Sequence, residues 1–111
     1  FATLGLHLHA WFVGASDGSM DAPVYSYEDV VTKLGHSVRG VDLLKIDIEG
    51  AEYKLLQDMR RCPTVSIINI ELHGVNCTEH TLLFEKLDTC GYAIVAKEPN
   101  HWGCSGWACV E

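Results

Sequence analysis

The sequence has 111 residues, 48% of them hydrophobic, and a formal net charge of −7. This length provides for one domain with a small core. The acidic balance and the lack of a Lys/Arg cluster argue against a nucleic-acid partner, and no apolar run approaches the roughly 18 residues that cross a bilayer. No signal peptide is visible. Because the chain starts at Phe1 and not at Met, enters an apolar run almost at once and ends without a polar tail, we expect a piece of a longer or processed protein.

The first element is a predicted strand, or strand pair, over Leu4–Val13, where apolar and polar residues alternate. His7 and His9 would share one face of it. Such a pair is either half of a metal site or two polar side chains on a half-exposed strand. The residues from Gly14 to Pro23 are typical of a turn and loop.

A helix is predicted to begin after Ser26, with Asp29 three residues on as the second half of a capping box. Gly35 is expected to end this helix. Its predicted apolar stripe consists of Tyr27, Val30, Val31 and Leu34.

The central element is a predicted strand over Leu43–Ile48 that ends in acidic residues and Gly50. A helix from Ala51 to about Arg61 should follow, with Leu55, Leu56 and Met59 as its buried stripe. Because side chains alternate along a strand, Leu44, Ile46 and Ile48 should share one face, opposite Leu43, Lys45, Asp47 and Glu49.

The next strand is predicted over Val65–Leu72, with Ile67, Asn69, Glu71 and His73 on one face. Asn76 should cap the next helix, which Gly91 should end. Tyr92–Lys97 and residues 107–110 are predicted as two further strands, joined as an antiparallel hairpin. The order β-α-β-α-β-α-β-β therefore predicts an α/β fold with a mostly parallel sheet.

The acidic and imidazole side chains at the two central strand ends form the candidate site. If these strands are neighbours, Asp47, Glu49, Glu71 and His73 converge on one edge, where open α/β sheets bind ligands. Four ionisable groups in one place perturb one another's pKa values, which can produce a general base. The alternative is that Asp47, Glu49 and Glu52 only cap the helix that follows the central strand. In the same way, Lys45 would only pair with a neighbouring carboxylate.

The five cysteines, Cys62, Cys77, Cys90, Cys104 and Cys109, include no CxxC pair. The spacing of His101, Cys104 and Cys109 does not match common zinc-ligand patterns. A Cys104–Cys109 bridge, or buried small apolar thiols, are the alternatives. Together with the Asn76-Cys77-Thr78 sequon, the cysteines favour the lumen of the secretory pathway.

The segment Asp42-Leu-Leu-Lys-Ile-Asp-Ile-Glu-Gly-Ala-Glu52 closely resembles the signature of FkbM-type methyltransferases and of related methyltransferase-like domains of animals. Leu34-Gly35-His36, Ile70-Glu71-Leu72-His73, Lys97-Glu98-Pro99-Asn100 and Ala108-Cys109-Val110-Glu111 resemble segments of the animal branch. The resemblance covers roughly residues 24 to 111, and the central segment is its most specific part.

This resemblance implies a Rossmann-like, S-adenosylmethionine-dependent methyltransferase that modifies a hydroxyl of a small-molecule or glycan acceptor. It places Asp47 near the transferred methyl group and the acceptor oxygen, with Glu71 and His73 on the acceptor side. The expected base is Asp47 first and His73 second. The expected cofactor-side residues are Asp17, Asp47 and Glu49.

The family's Gly-rich cofactor turn is the expected feature that this sequence does not match. Gly14-Ala-Ser-Asp-Gly18 has suitable residues but does not open a helix. Residues 1–111 are therefore expected to be one domain, the carboxyl-terminal part of a methyltransferase domain. Two alternatives stay open: a non-catalytic domain that has lost the cofactor, and a Mg²⁺-assisted enzyme using Asp47, Glu71 and Asn69.

Overall fold

The computed structural model of the protein describes residues 5–14, 22–74 and 77–98. Its elements, in chain order, are strands and helices of two to thirteen residues. They are β1 (Phe12–Val13), β2 (Val24–Tyr25), α1 (Tyr27–Lys33), β3 (Val41–Ile46), α2 (Glu52–Asp58), β4 (Val65–Ile70) and α3 (Cys77–Thr89).

The described strands form two small parallel sheets, β1–β2 and β3–β4. In the second sheet Leu44 lies opposite Ile68, and Ile46 lies opposite Ile70. The two strands are joined through α2, as a parallel pair requires a crossover. This α/β arrangement confirms the predicted parallel pairing of the two central strands.

The core lies on one face of the β3–β4 sheet, beneath α2 and α3. Leu56 and Leu83, one from each helix, are the most deeply buried apolar side chains among the described residues. On the other face Leu43 and Ile67 lie opposite each other, and each is 59% exposed. The predicted alternation is therefore confirmed, and the side chains packed in or against the core include Leu44, Ile46, Ile48, Ile68, Ile70 and Leu72.

Helix α1 begins as predicted. The Ser26 hydroxyl accepts a hydrogen bond from the Asp29 backbone N–H (3.1 Å), and the Asp29 carboxylate accepts one from the Ser26 backbone N–H (3.0 Å). This is a complete capping box. Gly35 follows the helix with a φ of 73°, a conformation that glycine adopts without a steric cost.

The predicted carboxyl-terminal antiparallel hairpin is wrong, because the described sheets are parallel and residues 92–98 contain no strand. Tyr92 is held by its side chain, whose hydroxyl lies 2.7 Å from the carbonyl oxygens of Pro63 and Val65. Beyond it Ile94 and Val95 are exposed by 66% and 95%, so this segment has the composition of a strand without packing against a sheet. The second strand of the hairpin, 107–110, lies outside the described residues.

Several predicted boundaries also change. The first strand covers Phe12–Val13 instead of Leu4–Val13, β3 and β4 end two residues early, and α2 ends at Asp58. The Asn76 cap and the Cys104–Cys109 bridge lie outside the described residues. A disulfide that the sequence did not predict joins Cys62, after α2, to Cys90, after α3.

Candidate active site

The carboxyl ends of β3 and β4 meet at one edge of the sheet. Their last residues, Ile46 and Ile70, are register partners, and the Glu71 N–H donates to the Ile46 carbonyl oxygen at 3.0 Å. These backbone hydrogen bonds hold the two segments side by side as they leave the sheet. Asp47 and Glu71 therefore start from adjacent backbone positions.

The His73 imidazole lies at the centre of the site. Its Nδ1 is 2.9 Å from Glu52 Oε1, a hydrogen bond. Its Nε2 is 3.6 Å from Glu49 Oε2, 3.7 Å from Glu71 Oε1 and 4.0 Å from Asp47 Oδ1. This confirms the prediction that Asp47, Glu49, Glu71 and His73 converge on one edge of the sheet, which we call the rim. Their catalytic and cofactor-binding roles stay predictions.

Glu52 is held inside the turn between β3 and α2. Its side chain has no exposed surface. The backbone N–H of Ile48 donates to Oε1 at 3.0 Å, and that of Gly50 donates to Oε2 at 2.9 Å. Glu49 and Gly50 have φ values of 55° and 104°, so the turn passes through the left-handed region and wraps its N–H groups around the carboxylate.

The hydrogen bonds around Glu52 and His73 shift both pKa values. Burial alone would raise the pKa of the Glu52 carboxyl, but the backbone N–H groups of Glu52, Ile48 and Gly50, together with His73, hold it below its usual value. The hydrogen bond to Glu52 raises the pKa of the His73 imidazole, outweighing partial desolvation, and the Glu49 and Glu71 carboxylates add to the rise. The site therefore contains an ionised buried acid and an imidazole that binds a proton readily.

Asp47, the first predicted base, has a cationic partner on β3, the strand that it directly follows. Lys45 Nζ lies 2.8 Å from Asp47 Oδ2, which confirms the predicted ion pair of Lys45 with a neighbouring carboxylate. The other oxygen, Oδ1, faces His73. Asp47 is thus placed to bind or orient a ligand beside the imidazole.

Asp47, Glu49 and His73 offer three ligand atoms within 4.8 Å of one another, the one group of this kind in the described part of the chain. This set differs from the predicted Mg²⁺ ligands Asp47, Glu71 and Asn69, and its imidazole nitrogen suits Mn²⁺, Fe²⁺ or Zn²⁺ better than Mg²⁺. Exposed acidic groups often cluster without an ion, so the geometry alone assigns no metal.

Tyr53, on α2, supports the loop that carries His73. Its buried ring presents a hydroxyl that lies 3.4 Å from the Gly74 carbonyl oxygen and also contacts His80 Nε2 on α3. The residue after His73 is thus hydrogen-bonded to a tyrosine of α2 that itself contacts α3. Sequence reasoning missed this role because the contacts join positions 21 and 27 residues apart.

The remaining predicted residues are not among the contacts that the structure describes at the site. Asp17 lies outside the described residues, as do His101 and Cys104. His7 and His9 are exposed, and the His9 ring stacks on Trp11 with centroids 4.4 Å apart.

Sequence reasoning left Glu52 open between a helix-capping and a functional role and did not predict its burial or its contact with His73. A signal for its burial was present, because Glu52 lies on the same helical face as Leu55, Leu56 and Met59.

The described fold and site define an α/β protein of the kind that places ligand-binding groups at the carboxyl ends of parallel strands. A family model described as "Methyltransferase domain" matches residues 4–110. The chain therefore belongs to this methyltransferase family. Comparison with curated proteins gives no match, and neither does comparison with solved structures. No helix in the described ranges is both long and apolar enough to cross a membrane.

Proposed function

We propose that the protein transfers a methyl group from S-adenosylmethionine to a hydroxyl of a small-molecule or glycan acceptor, with His73 as the general base. One observation carries this proposal: His73 binds a buried acid through Nδ1 and turns Nε2 toward the rim where the strands end. Family membership supports methyl transfer. We further propose a Rossmann-like fold of the FkbM-related kind, which the parallel β3-α2-β4 unit supports.

The carboxylates at the rim fit S-adenosylmethionine in their chemistry. Asp47 and Glu49 are exposed carboxylates at the carboxyl end of β3, and carboxylates accept hydrogen bonds from ammonium and ribose hydroxyl groups. These two residues would hold the cofactor, with Asp17 as a further predicted contact. When bound, S-adenosylmethionine supplies an electrophilic methyl group.

His73 would move the proton. Since Nδ1 is hydrogen-bonded to Glu52, Nε2 is the nitrogen that would accept the acceptor's hydroxyl proton. The methyl group would pass from the sulfonium sulfur to the acceptor oxygen, and the sulfur would leave as the neutral thioether. The protonated ring is stabilised by the surrounding carboxylates and returns its proton to solvent after product release. His73 replaces Asp47 as the preferred base because Asp47 is already paired with Lys45. A positioned base of this kind typically contributes about 10²–10⁴-fold.

The test is a methyl-transfer assay with methyl-labelled S-adenosylmethionine and a panel of methyl glycosides and simple phenols. His73→Gln should lower kcat on the order of 10²-fold, because it removes the proton acceptor. His7→Gln, which replaces an exposed imidazole, is the matched control and should leave turnover unchanged. Full turnover by His73→Gln would remove His73 from the mechanism.

A metal-assisted version of the reaction is supported by the three ligand atoms of Asp47, Glu49 and His73. These residues would then hold a divalent cation, which supplies Lewis-acid chemistry when bound. Labelled transfer measured after exhaustive chelation, and again after adding back Mn²⁺ or Mg²⁺, tests this version. Undiminished turnover in chelator would count against it.

The alternative function is a non-enzymatic one: a methyltransferase-like domain that does not bind the cofactor. Among the described residues, no helix opens on a Gly-rich turn of the kind that cradles this cofactor. Titration calorimetry with S-adenosylmethionine separates the two possibilities. Absence of binding to the protein that contains this chain would favour the non-catalytic domain.

For the compartment, we propose the lumen of the secretory pathway. The Cys62–Cys90 disulfide supports this location, because such bonds persist mainly in oxidising compartments. Alkylation of the protein in cell extracts before reduction should leave Cys62 and Cys90 unmodified. Complete alkylation of both would contradict this location.

A further inference from the structure

Glu52 is the buried charged side chain of the described core. Nothing in the chemistry proposed for the rim requires a fourth acid beneath it, since Asp47, Glu49 and Glu71 already face the open side of the ring. A buried carboxylate is costly unless it is hydrogen-bonded or paired. The partners of Glu52 therefore indicate why an acid lies there.

Those partners come from both strand ends. The turn after β3 gives the backbone N–H groups of Ile48 and Gly50, and the chain after β4 gives His73 Nδ1. One carboxylate thus ties the turn that carries the rim acids to the residue that carries the imidazole. Since backbone N–H groups fix its orientation, Glu52 offers His73 an acceptor in one direction only.

We propose that Glu52 is a positioning residue that sets the tautomer and orientation of His73, so that Nε2 presents its lone pair to the acceptor hydroxyl. This inference rests on the function proposed above. An ionised carboxylate can only accept a hydrogen bond. In the neutral imidazole Nδ1 must therefore carry the proton, which leaves Nε2 unprotonated.

The distances around Nε2 agree with this assignment. Its nearest carboxylate oxygens, on Glu49, Glu71 and Asp47, are 3.6–4.0 Å away, beyond ordinary hydrogen-bond length. They can stabilise positive charge on the ring without engaging the lone pair. Among the described residues, the hydrogen bond that fixes the ring is the one from Nδ1 to Glu52.

The first test is the tautomer itself, measured by NMR of the His73 ring nitrogens in ¹⁵N-histidine-labelled protein. The neutral ring should carry its proton on Nδ1 in the wild type. Glu52→Gln should give a mixture of tautomers, because an amide can both donate and accept. Glu85→Gln, which removes an exposed acid on α3, is the matched control. An unchanged tautomer in Glu52→Gln would overturn the proposal.

The second test is a double-mutant cycle on labelled methyl transfer. Glu52→Gln should lower kcat about 10- to 100-fold without a matching change in KM, since the residue does not touch the acceptor. Added to His73→Gln, it should cost little more, because Glu52 acts through His73. A full, additive loss in the double variant would assign Glu52 a role independent of His73 and overturn the proposal.

Three further outcomes can be told apart. If Glu52→Gln does not fold, as its circular dichroism would show, Glu52→Asp takes its place. It keeps the acceptor-only chemistry on a shorter stem and should keep the Nδ1–H tautomer, with a partial loss of kcat. Wild-type protein that methylates no acceptor, yet shows the Nδ1–H tautomer, would overturn methyl transfer and leave Glu52 as a residue that only orients His73. A shifted tautomer with unchanged kcat would leave Glu52 as the residue that sets the tautomer but would overturn the general-base role of His73.

Discussion

Removing the disulfide between Cys62 and Cys90 should destabilise the fold substantially. The two cysteines are 28 residues apart. Closing a loop of that length lowers the conformational entropy of the unfolded chain, which stabilises the folded state by roughly 3–4 kcal/mol at 25 °C. Cys62 is exposed and Cys90 is half-buried, so replacing both by serine leaves little new cavity. The loss of stability should therefore come mainly from the greater conformational freedom of the unfolded chain.

The assay is thermal unfolding of the Cys62→Ser/Cys90→Ser variant, followed by circular dichroism. A loss of this size corresponds to a fall in Tm on the order of 15 °C for a chain of this length. Cys77→Ser, at an exposed free cysteine, is the control and should leave Tm unchanged. Equal Tm values for wild type and double variant, or peptide mapping that pairs Cys62 with another cysteine, would refute the reasoning.

Three further predictions concern the core, a helix end and the pH dependence of stability. Leu83→Ala should lower the free energy of unfolding in urea by about 2–5 kcal/mol, because Leu83 is fully buried; Leu82→Ala, at a position 49% exposed, should cost much less. Lys86→Met should cost roughly 1–2 kcal/mol, because Lys86 Nζ donates to two carbonyl oxygens at the end of α2. Lys54→Met, at an exposed position of that helix, should be nearly neutral in the same denaturation. The His73 pKa is raised by folding from 6.5, so its stabilising effect should be complete below that pH and lost as the pH rises through the folded-state value. Urea titrations across this range should show the loss in wild type and a flatter curve in His73→Gln.

Local patterns predict the site better than they predict the whole fold. A period of two fixes which side chains share a strand face, and parallel pairing brings the carboxyl ends of two strands to one edge. These two rules suffice to place Asp47, Glu49, Glu71 and His73 together, as the structure shows. The α1 capping box was equally predictable, because it depends on residues three positions apart.

Long-range contacts were not predictable in this way. The Cys62–Cys90 bond depends on where the ends of α2 and α3 meet, and five cysteines permit many pairings. The failed hairpin has the same origin. The residues around Ile94 and Val95 have high β-propensity, but that propensity mainly reflects packing against neighbouring strands, and in the described structure these side chains are exposed.

Glu52 shows how a local conflict in a sequence can indicate a site. Helical periodicity places this acid among the apolar residues Leu55, Leu56 and Met59, where a charge would normally destabilise the helix packing. The structure resolves the conflict with hydrogen bonds from the turn and from His73. Because His73 comes from the second strand, Glu52 is satisfied only when both strand ends are correctly assembled. The stability of the buried acid and the geometry of the proposed base are therefore set by the same contact.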